Sequence, residues 1–369
     1  MLLVGTAERL LAYNASAHHI WSELAEGRTP SEIAATLAAT FGIDPARASA
    51  DVDAIVAHWK EEGVLDGSFQ VASPPVEPDP PDAAGEAVWA ARWVCRLGAR
   101  LVEFAVEDAT SAARVRGALR PLEVDRGTPE ARIEVRASGD GTSIVLRDGR
   151  VRRRFIRLDG LKEAVYESVL DVLWPERAID TLIHAGAVAR HGIGLCLVAA
   201  SGSGKSTLVA ELCGLGYQYL TDDLAAIDRT GEVLPLPLPM SLKEGSWHFL
   251  DHLRPQLESS PAFRVRETRA RLITPPGAWD ARPTPVGALV FPRYARESPA
   301  VVQRIRPSDA LVKLRGAGVW LGHPLTEEHV TRLARWLERT PAYTLEYGGP
   351  AAALPHIDDI VRGLRQSRA

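Results

Sequence analysis

Apolar residues recur with a helical period in the first seventy residues of the chain. Three runs repeat apolar residues every three or four positions, which places their side chains on one face of a helix. The first run begins after Asn14, a residue type that caps helices, and its apolar residues are Ala17, Ile20, Trp21 and Leu24. Short extended segments, RLLAY and VLDGSFQV, flank the three runs. Residues 1–70 therefore predict a small α+β domain of the winged-helix type.

The second and third runs carry their own start and stop signals. Thr29 and Glu32 form a capping box, and Gly42 marks the stop of this helix. Pro45 opens the third helix, because proline is favoured in a first turn. The residues expected on the buried faces of these two helices are Ile33, Leu37, Phe41, Val52, Ile55, Val56 and Trp59.

Prolines interrupt the pattern after this domain. The segment ASPPVEPDPPDAAGEA, residues 72–87, contains five prolines among small and acidic residues. Proline fixes φ and removes a backbone donor, so such a segment is extended and has no core of its own. We assign residues 71–88 to a linker.

Strand and helix patterns alternate beyond the linker. Residues 89–175 predict an α+β extension, in which Asp148 and Gly149 form the turn of a hairpin. Residues 351–369 predict a C-terminal tail helix.

The region between them, residues 176–350, predicts an α/β core. Its apolar strand segments include HGIGLCLVAA, GYQYL and VGALVFPRY, and two later helices have Ser308 and Thr326 as expected caps. The fold class expected for the whole chain is α/β, with the winged-helix-like α+β domain at its N-terminus.

Bulk composition excludes several classes of protein. The net charge of the 369 residues is −4, which gives no support to nucleic-acid or membrane binding as a main function. Cys95, Cys196 and Cys213 lack the spacing of metal ligands and are expected to be buried, reduced thiols. The start MLLVGTAERLL is unlike a signal peptide, and no stretch is as long as a membrane span. We expect a cytoplasmic protein.

One stretch carries a nucleotide-binding pattern. LVAASGSGKSTLVAEL follows the pattern G-x-x-x-x-G-K-[ST], with Ala199 in the place of the first glycine. A strand precedes it and a helix follows, so backbone N–H groups of the loop point at a phosphate. Lys205 is expected to reach the β- and γ-phosphates of ATP, and the hydroxyl of Ser206 to ligate Mg²⁺. The expected nucleotide-binding residues are Ser201, Gly202, Ser203, Gly204, Lys205, Ser206 and Thr207.

Two adjacent aspartates follow the next predicted strand. Asp222 lies 17 residues after Lys205, a helix and a return strand later, which predicts a position beside the loop. Asp223 points to the opposite face of an extended chain, so one carboxylate is expected to accept a proton and the other to hold Mg²⁺. Paired aspartates alone are also typical of simple turns. Their position after the loop favours the catalytic interpretation.

These elements resemble the HPr kinase/phosphorylase family, and more closely its smaller HPr-kinase-related branch. The family has a histidine before the loop strand, a loop of the form G-x-S-G-x-G-K-S and an Asp-Asp pair after the next strand. Here His184 precedes Lys205 by 21 residues, and Asp222 and Asp223 follow. The resemblance implies an HPr-kinase-like core in which Asp222 is the general base. It also implies that Asp223 assists at the metal and that His184 lies beside the aspartates.

The sequence departs from the family in two places. Ala199 and Ala200 stand where the family has a glycine and usually an acidic residue, and LPLPLPMSLKEGSW stands where an R-G-x-G segment is expected. HPr is therefore not the expected substrate, and the reverse phosphorylase reaction is unsupported. Lys243 of the replacing segment is a candidate phosphate or substrate contact. One arginine of a predicted loop is a candidate for neutralising the transferred phosphate, from the set Arg264, Arg266, Arg269 and Arg271.

The N-terminal domain resembles PqqD-type domains through the segments YNASAHHIWSEL, GRTPSEIAATLAATFGI and ADVDAIVAHWKEEGVL. Such domains are peptide-recognition elements of ribosomal peptide modification. The resemblance implies that a leader peptide adds to the small sheet as a further strand. A winged-helix adaptor for another protein is the alternative. DNA binding is disfavoured because the helices have few basic residues, the main ones being Arg28, Arg47 and Lys60.

Together these features predict an ATP-dependent kinase for a serine or threonine hydroxyl of a precursor peptide that residues 1–70 bind. In this hypothesis Asp222 takes the proton, Lys205 stabilises the phosphates, and Ser206 and Asp223 hold Mg²⁺. Two alternatives stay open: a kinase of small alcohols, sugars or amino acids, and a nucleotide-dependent peptide chaperone without phosphoryl transfer. A homo-oligomer is also open, since HPr kinases assemble into hexamers.

Overall fold

The chain divides into two compact units. One consists of Met1–Pro78 with Trp320–Arg335, and the other of Asp79–Val319 with Trp336–Ala369. The sequence predicts a division into five segments, and these boundaries stay predictions: residues 1–70, 71–88, 89–175, 176–350 and 351–369. No helix within the described ranges has both the length and the apolar character needed to cross a membrane. The computed structural model describes residues 20–21, 23–24, 27–61, 65, 88–137, 143–155, 161–200, 202–265, 268–275, 282–320 and 327–367.

Two described helices of the first unit begin where the sequence signals predict. Helix α1 spans Pro30–Phe41 and helix α2 spans Pro45–Glu61. The backbone N–H of Glu32 donates to the Thr29 hydroxyl, and the backbone N–H of Thr29 donates to the Glu32 carboxylate, so the predicted capping box is confirmed. Gly42 ends α1 with a φ of 63°. The predicted core residues that are buried here are Ile33, Leu37, Val52, Val56 and Trp59.

Part of the first predicted helix is also described. Ile20, Trp21 and Leu24 are helical and buried, and the Trp21 ring meets Trp59 edge-to-face with 5.3 Å between the centroids. The expected Asn14 cap lies outside the described residues, as do the two flanking extended segments apart from residue 65. The apolar periodicity of this region therefore does form a small helical core.

A six-stranded sheet opens the second unit. Its order is β3-β1-β2-β4-β5-β6, and helices α3 (Ala109–Leu119) and α4 (Leu161–Leu173) contact it. Asp148 and Gly149 join β5 to β6 with φ of 49° and 80°, which confirms the predicted hairpin. The strands are β1 Ala91–Leu97, β2 Arg100–Val106, β3 Glu123–Val124, β4 Ala131–Ala137, β5 Ser143–Arg147 and β6 Arg150–Phe155.

The described residues after Leu173 form thirteen further strands and five helices, and all belong to this unit except residues 320–335, which include most of the helix that begins at Glu327. The helices are α5 Lys205–Gly214, α6 Arg254–Ser259, α7 Pro307–Ala317, α8 Glu327–Arg339 and α9 Pro350–Gln366. The strands are β7 Ile179–Ile183, β8 Ala185–Arg190, β9 Ile193–Val198, β10 Gln218–Thr221, β11 Ala225–Asp228, β12 Glu232–Leu234, β13 Met240–Lys243, β14 Ala262–Val265, β15 Thr268–Ile273, β16 Thr284–Tyr294, β17 Val301–Ile305, β18 Val319–Trp320 and β19 Ala342–Tyr347.

Ten of these strands form one sheet in the order β10-β8-β9-β16-β12-β11-β7-β18, with β19 pairing β16 and β17. Strand β9 is apolar and buried along its whole length, as expected for a strand that is covered on both faces. It runs parallel to β16, which in turn runs parallel to β19. Helices α5 and α9 contribute to the same buried core. The predicted α/β fold class with an N-terminal α+β domain is confirmed.

A separate three-stranded sheet corrects one expectation. Its order is β13-β15-β14, so Arg264 lies on β14, and Arg269 and Arg271 lie on β15, in place of the predicted loop. The Trp247 ring explains how these charges are accommodated, since it lies 4.8 Å from the Arg271 guanidinium and 5.8 Å from that of Arg269. Arg266 lies outside the described residues.

The expected Ser308 cap is wrong. Helix α7 already begins at Pro307, its N-cap residue is Arg306, and the cap makes no side-chain hydrogen bond. Proline at the first helical position has the required φ and needs no donor, so the helix starts two residues earlier than a cap at Ser308 predicts. The other expected cap, Thr326, lies outside the described residues.

Candidate functional site

Strand pairing brings the candidate residues to one edge of the large sheet. Strand β8 lies between β9 and β10 and is antiparallel to both, with Gly186 opposite Leu197 and Ala187 opposite Thr221. The start of β8 is therefore beside the ends of the other two strands. The glycine loop, defined as residues 199–207, follows β9, and the aspartates follow β10. Both segments consequently reach the edge at which β8 begins.

Two glycines give the loop its shape. Gly202 and Gly204 have φ of 92° and 89°, in the left-handed region that favours glycine. Gly204 is the N-cap of α5 and makes no side-chain cap bond, so no side chain competes for the N–H groups of the first turn. Lys205 is buried, and its Nζ donates to the carbonyl of Ala199 at 3.1 Å. Ser201 lies outside the described residues.

The hydroxyl groups of the loop differ in exposure. The Ser203 hydroxyl donates to the carbonyl of Ala200 at 2.7 Å, which tightens the turn before α5. Ser206 is half-buried and Thr207 is buried. Ser206 is therefore the more accessible of the two hydroxyls in the first turn of the helix, as a metal ligand there requires.

Gly186 is the point at which the loop and the aspartates meet. A Cβ on this residue would lie 3.5 Å from Cγ of Lys205 and 3.6 Å from the backbone oxygen of Asp222. It would also lie 2.5 Å from Cγ2 of Val209, so the strand has no room for a side chain here. The sequence does not single out Gly186, because its local signal is that of any glycine inside an apolar strand.

The two aspartates have different surroundings. Asp222 is 4% exposed, and its Oδ2 accepts the backbone N–H of Ser241 at 3.3 Å. Asp223 is half-exposed, and its Oδ1 lies 3.7 Å from Nε2 of His184. The backbone N–H of His184 donates to the carbonyl of Gly318 at 3.0 Å. One carboxylate is thus fixed inside the protein, while the other faces the histidine near the surface.

Two strand pairings explain why His184 meets the aspartates. It joins β7 to β8, and the aspartates lie between β10 and β11. Ile183 pairs with Ala225 just after the aspartates, and Ala187 pairs with Thr221 just before them. The two connecting segments are therefore held together from both ends. The structure brings His184, Asp223, Asp222 and Lys205 into one region, as the spacing in the sequence predicts.

Aromatic residues lie beside the loop on the side of β16 and β19. These strands end in Tyr294 and Tyr347, which are paired with each other. Tyr347 is 1% exposed, and its hydroxyl donates to the carbonyl of Ser203 at 3.5 Å. Burial raises the pKa of Tyr347 well above its ordinary value, so the hydroxyl stays a donor. A Cβ on Gly204 would lie 2.2 Å from this hydroxyl. Neither tyrosine belongs to a sequence pattern that predicts this position.

Strand β13 carries Lys243 close to the site. Its residue Ser241 donates its N–H to Asp222, and Lys243 is the half-buried last residue of the same strand. Arg269 on the neighbouring strand forms an ion pair with Glu244 at 3.2 Å. Lys243 therefore lies two residues along the strand from the position that contacts the buried aspartate.

Cysteine chemistry plays no part in this site. Cys95, Cys196 and Cys213 are free and buried, which confirms their predicted state. Burial raises the pKa of Cys95 and Cys196 to about 12. Burial, with a smaller contribution from the charge of Asp222, raises the pKa of Cys213 to about 12. Such thiols stay protonated and unreactive at neutral pH. No group of three or more His, Cys, Asp or Glu side chains in the described part of the chain is arranged to hold a metal.

Comparison with known proteins gives one family match and one similar solved structure. The family model for coenzyme PQQ synthesis protein D (PqqD) matches residues 2–65, so the chain has a PqqD domain at its N-terminus. A solved structure described as the Hpr(Ser) kinase/phosphatase from Coxiella burnetii is similar over 51% of this chain and 97% of that chain, at 13% identity and a TM-score of 0.25. The family match confirms the resemblance of the N-terminal domain to PqqD that the sequence predicts. No curated protein matches the sequence significantly.

Proposed function

We propose that the protein is an ATP-dependent kinase that phosphorylates a serine or threonine hydroxyl of a precursor peptide bound by its PqqD domain. The observation that carries this proposal is the meeting of the glycine loop and Asp222 at Gly186. Lys205 Cγ and the Asp222 backbone oxygen lie 3.5 and 3.6 Å from the same Cβ position. A phosphate cradle and a buried carboxylate at one strand edge are the parts that phosphoryl transfer to a hydroxyl requires.

The glycine loop fits the phosphates of a nucleotide. Helix α5 directs its first N–H groups and the positive end of its dipole at the loop, and the left-handed backbone of Gly202 and Gly204 permits close approach. Ala199 replaces a glycine but keeps the carbonyl that accepts the hydrogen bond from Lys205. A phosphate oxygen is the stronger partner for this ammonium group, so the lysine is expected to exchange the carbonyl for the nucleotide.

Ser206 and Asp223 are the residues that would hold Mg²⁺. This hard cation prefers oxygen ligands and usually keeps several waters, so one or two protein ligands and the phosphates suffice. Mg²⁺ supplies neutralisation of the phosphate charge when it is bound with the nucleotide. Asp223 is half-exposed and lies 3.7 Å from His184, which we expect to orient its carboxylate.

Asp222 is the proposed general base. The acceptor hydroxyl oxygen forms a bond to the terminal phosphorus of ATP, the bond from that phosphorus to the bridging oxygen of ADP breaks, and the hydroxyl proton passes to Asp222. The N–H of Ser241 holds one oxygen of this buried carboxylate in place. Fixed geometry of this kind is what makes proton transfer effective in the transition state.

In this proposal the PqqD domain binds the precursor peptide. Domains of this type recognise peptides by strand addition, in which main-chain hydrogen bonds provide affinity and side-chain pockets set the register. The proline-rich linker, residues 71–88, tethers the bound peptide to the kinase unit and raises its effective concentration there.

The test is intact mass spectrometry of candidate precursor peptides after incubation with full-length protein, ATP and Mg²⁺. We expect one added phosphate with the wild type. Asp222→Asn is expected to lower kcat by roughly 10²–10⁴-fold, because the base is lost while the shape is kept. The matched control is Asp251→Asn, a change at an exposed aspartate outside the site, which is expected to retain activity.

Two results would contradict the proposal. Phosphorylation of a small alcohol, sugar or free amino acid at full rate, with no peptide modified, would make the protein a small-molecule kinase. Binding of both ATP and peptide with no phosphate transferred to any substrate would favour a nucleotide-dependent peptide chaperone.

A further inference from the structure

Tyr294 ends the strand next to the one that leads into the glycine loop. Strand β16 runs parallel to β9, Val290 pairs with Leu197, and Tyr294 lies four positions after Val290. Four residues of a strand span roughly 13 Å, so Tyr294 lies level with the loop that follows Val198. In agreement, a Cβ on Gly204 would lie 3.6 Å from Cβ of Tyr294.

The Tyr294 ring is the exposed member of an aromatic group on this edge. It is 41% exposed, whereas its strand partner Tyr347 is 1% exposed. The centroids of Tyr347 and Phe249 lie 5.9 and 6.4 Å from that of Tyr294, and each ring is tilted by 68° to it. The N–H of Ala295 donates to the carbonyl of Tyr347 at 2.9 Å, which fixes the end of β16. An exposed ring on a fixed backbone is pre-organised to bind a flat group.

The loop separates this aromatic group from the aspartates. Strands β8 and β10, which lead to Gly186 and Asp222, lie on one side of β9, and β16 with β19 lies on the other. Ligands of open α/β sheets bind in the crevice outside the carboxyl ends of parallel strands, and β9, β16 and β19 end together at this edge. A nucleotide whose phosphates occupy the loop, with the terminal one toward Asp222, directs its base toward Tyr294.

We propose that the base of the bound nucleotide stacks on Tyr294. The proposal rests on the nucleotide binding of the proposed function and extends it to the part of the ligand that the glycine loop does not contact. Aromatic side chains bind bases through their π faces, and such stacking tolerates every base. Tyr294 therefore contributes affinity and little discrimination between adenine and guanine.

Binding measurements with ligands that have and lack a base test this assignment. The Kd of ATP, GTP and inorganic tripolyphosphate, each with Mg²⁺, is measured for the full-length wild type and for Tyr294→Ala. We expect the variant to raise the Kd of ATP and of GTP by roughly 10-fold and to change that of tripolyphosphate by less than about 2-fold. Tyr294→Trp is expected to retain the affinity for ATP.

Tyr343→Ala is the matched control. Tyr343 is a half-buried tyrosine near the start of β19, four positions before the end of the strand that lies beside the loop. All three Kd values are expected to stay unchanged in this variant. Circular dichroism of each variant checks that its secondary structure is retained.

The outcomes separate this inference from the proposed function. An equal loss of ATP and tripolyphosphate affinity in Tyr294→Ala, or no loss of ATP affinity, overturns stacking. A wild type that binds ATP no more tightly than tripolyphosphate overturns stacking and leaves the phosphate cradle intact. Failure of the wild type to bind either ligand overturns the nucleotide site and the proposed kinase together. Base-dependent binding through Tyr294 without phosphate transfer supports stacking and overturns only the kinase.

Discussion

Gly204 is the residue of the glycine loop at which a side chain is least tolerable. Its φ is 89°, and a Cβ there would lie 2.2 Å from the Tyr347 hydroxyl, whereas Gly202 has a φ of 92° and nothing within 4 Å of its Cβ position. Alanine at either position costs about 1 kcal/mol for the left-handed backbone, and at Gly204 the overlap adds about 1–3 kcal/mol. We expect Gly204→Ala to lower the melting temperature and the ATP affinity more than Gly202→Ala does.

Removal of the opposing hydroxyl provides the control for this prediction. Tyr347→Phe leaves the ring in place and is expected to restore part of the stability that Gly204→Ala loses. Thermal unfolding of the two single variants and the double variant, with and without ATP, gives the coupling between the sites. Strictly additive effects of the two changes would show that the hydroxyl is not the obstacle.

The residues of this site differ in how well the sequence predicts them. Lys205 and Asp222 belong to short sequence motifs. Their separation along the chain, a helix and a return strand, predicts that they lie close together in the fold. Gly186 and Tyr294 act through contacts across strands, with Gly186 leaving space for Lys205 and Tyr294 lying beside Gly204. No local pattern distinguishes them from an ordinary strand glycine or an ordinary strand tyrosine.

Helix α1 owes its start to the Thr29 capping box, in which Thr29 and Glu32 exchange backbone and side-chain hydrogen bonds. Removal of an N-cap side chain weakens a helix by about 1 kcal/mol. We expect Thr29→Ala to accelerate amide hydrogen exchange in the first turns of α1 by roughly 5-fold. Thr36→Ala is the control, because the Thr36 hydroxyl donates to the Glu32 carbonyl within the helix and takes no part in the capping box, so we expect no acceleration.

The pH dependence of the cap follows from the Glu32 carboxylate. Hydrogen bonds from the backbone and then the side chain of Thr29 lower the pKa of Glu32 from its ordinary value of 4.5. The ionised Glu32 carboxylate therefore contributes fully to the stability of α1 above pH 4.5. This contribution is lost as the pH falls through the lowered pKa of the folded state. At acid pH, the protection of the α1 amides from hydrogen exchange is therefore expected to be similar in Glu32→Gln and in the wild type. A constant difference at all pH values would contradict this account.

Elements with strong local signals were predictable, and those stabilised by distant partners were not. The capping box of α1 and the Asp-Gly hairpin between β5 and β6 are encoded within a few residues. The hairpin of β14 and β15 carries several arginines and resembles a solvated loop. In the structure its second strand pairs with β13, and Trp247, outside the hairpin, contacts the guanidinium groups of Arg269 and Arg271. Cation–π contacts of this kind leave no periodicity in the sequence.

At the scale of the whole molecule, the order of the strands in the sheet determines which residues come together in the candidate site. The sequence predicts that strands precede the glycine loop and the aspartates. No pattern in it predicts that β8 lies between β9 and β10 in the sheet. That arrangement, with β7 beside β11, brings His184 to Asp223 across 39 positions of the chain. The spacing of the motifs predicts that these residues converge, but the strand pairings that hold them together depend on the packing of the complete sheet and follow only from the structure.

The division of the chain into two units gives the last prediction. Residues 2–65, which match PqqD, belong to one unit, and the glycine loop with its aspartates belongs to the other. If the leader of a precursor binds the first unit, the tethered core meets the second at an effective concentration near the millimolar range. We expect the KM of the full precursor to lie roughly 10²-fold or more below that of its leaderless core, with a similar kcat.

Free leader peptide added in trans distinguishes tethering from activation. Under tethering, the leader competes with the full precursor for the first unit, so it raises the apparent KM of the precursor and leaves phosphorylation of the leaderless core unchanged. A scrambled leader of the same composition controls for nonspecific inhibition. Faster phosphorylation of the leaderless core in the presence of free leader would instead mean that leader binding shifts the kinase unit to a more active state, because a peptide that is not joined to the core cannot raise its local concentration.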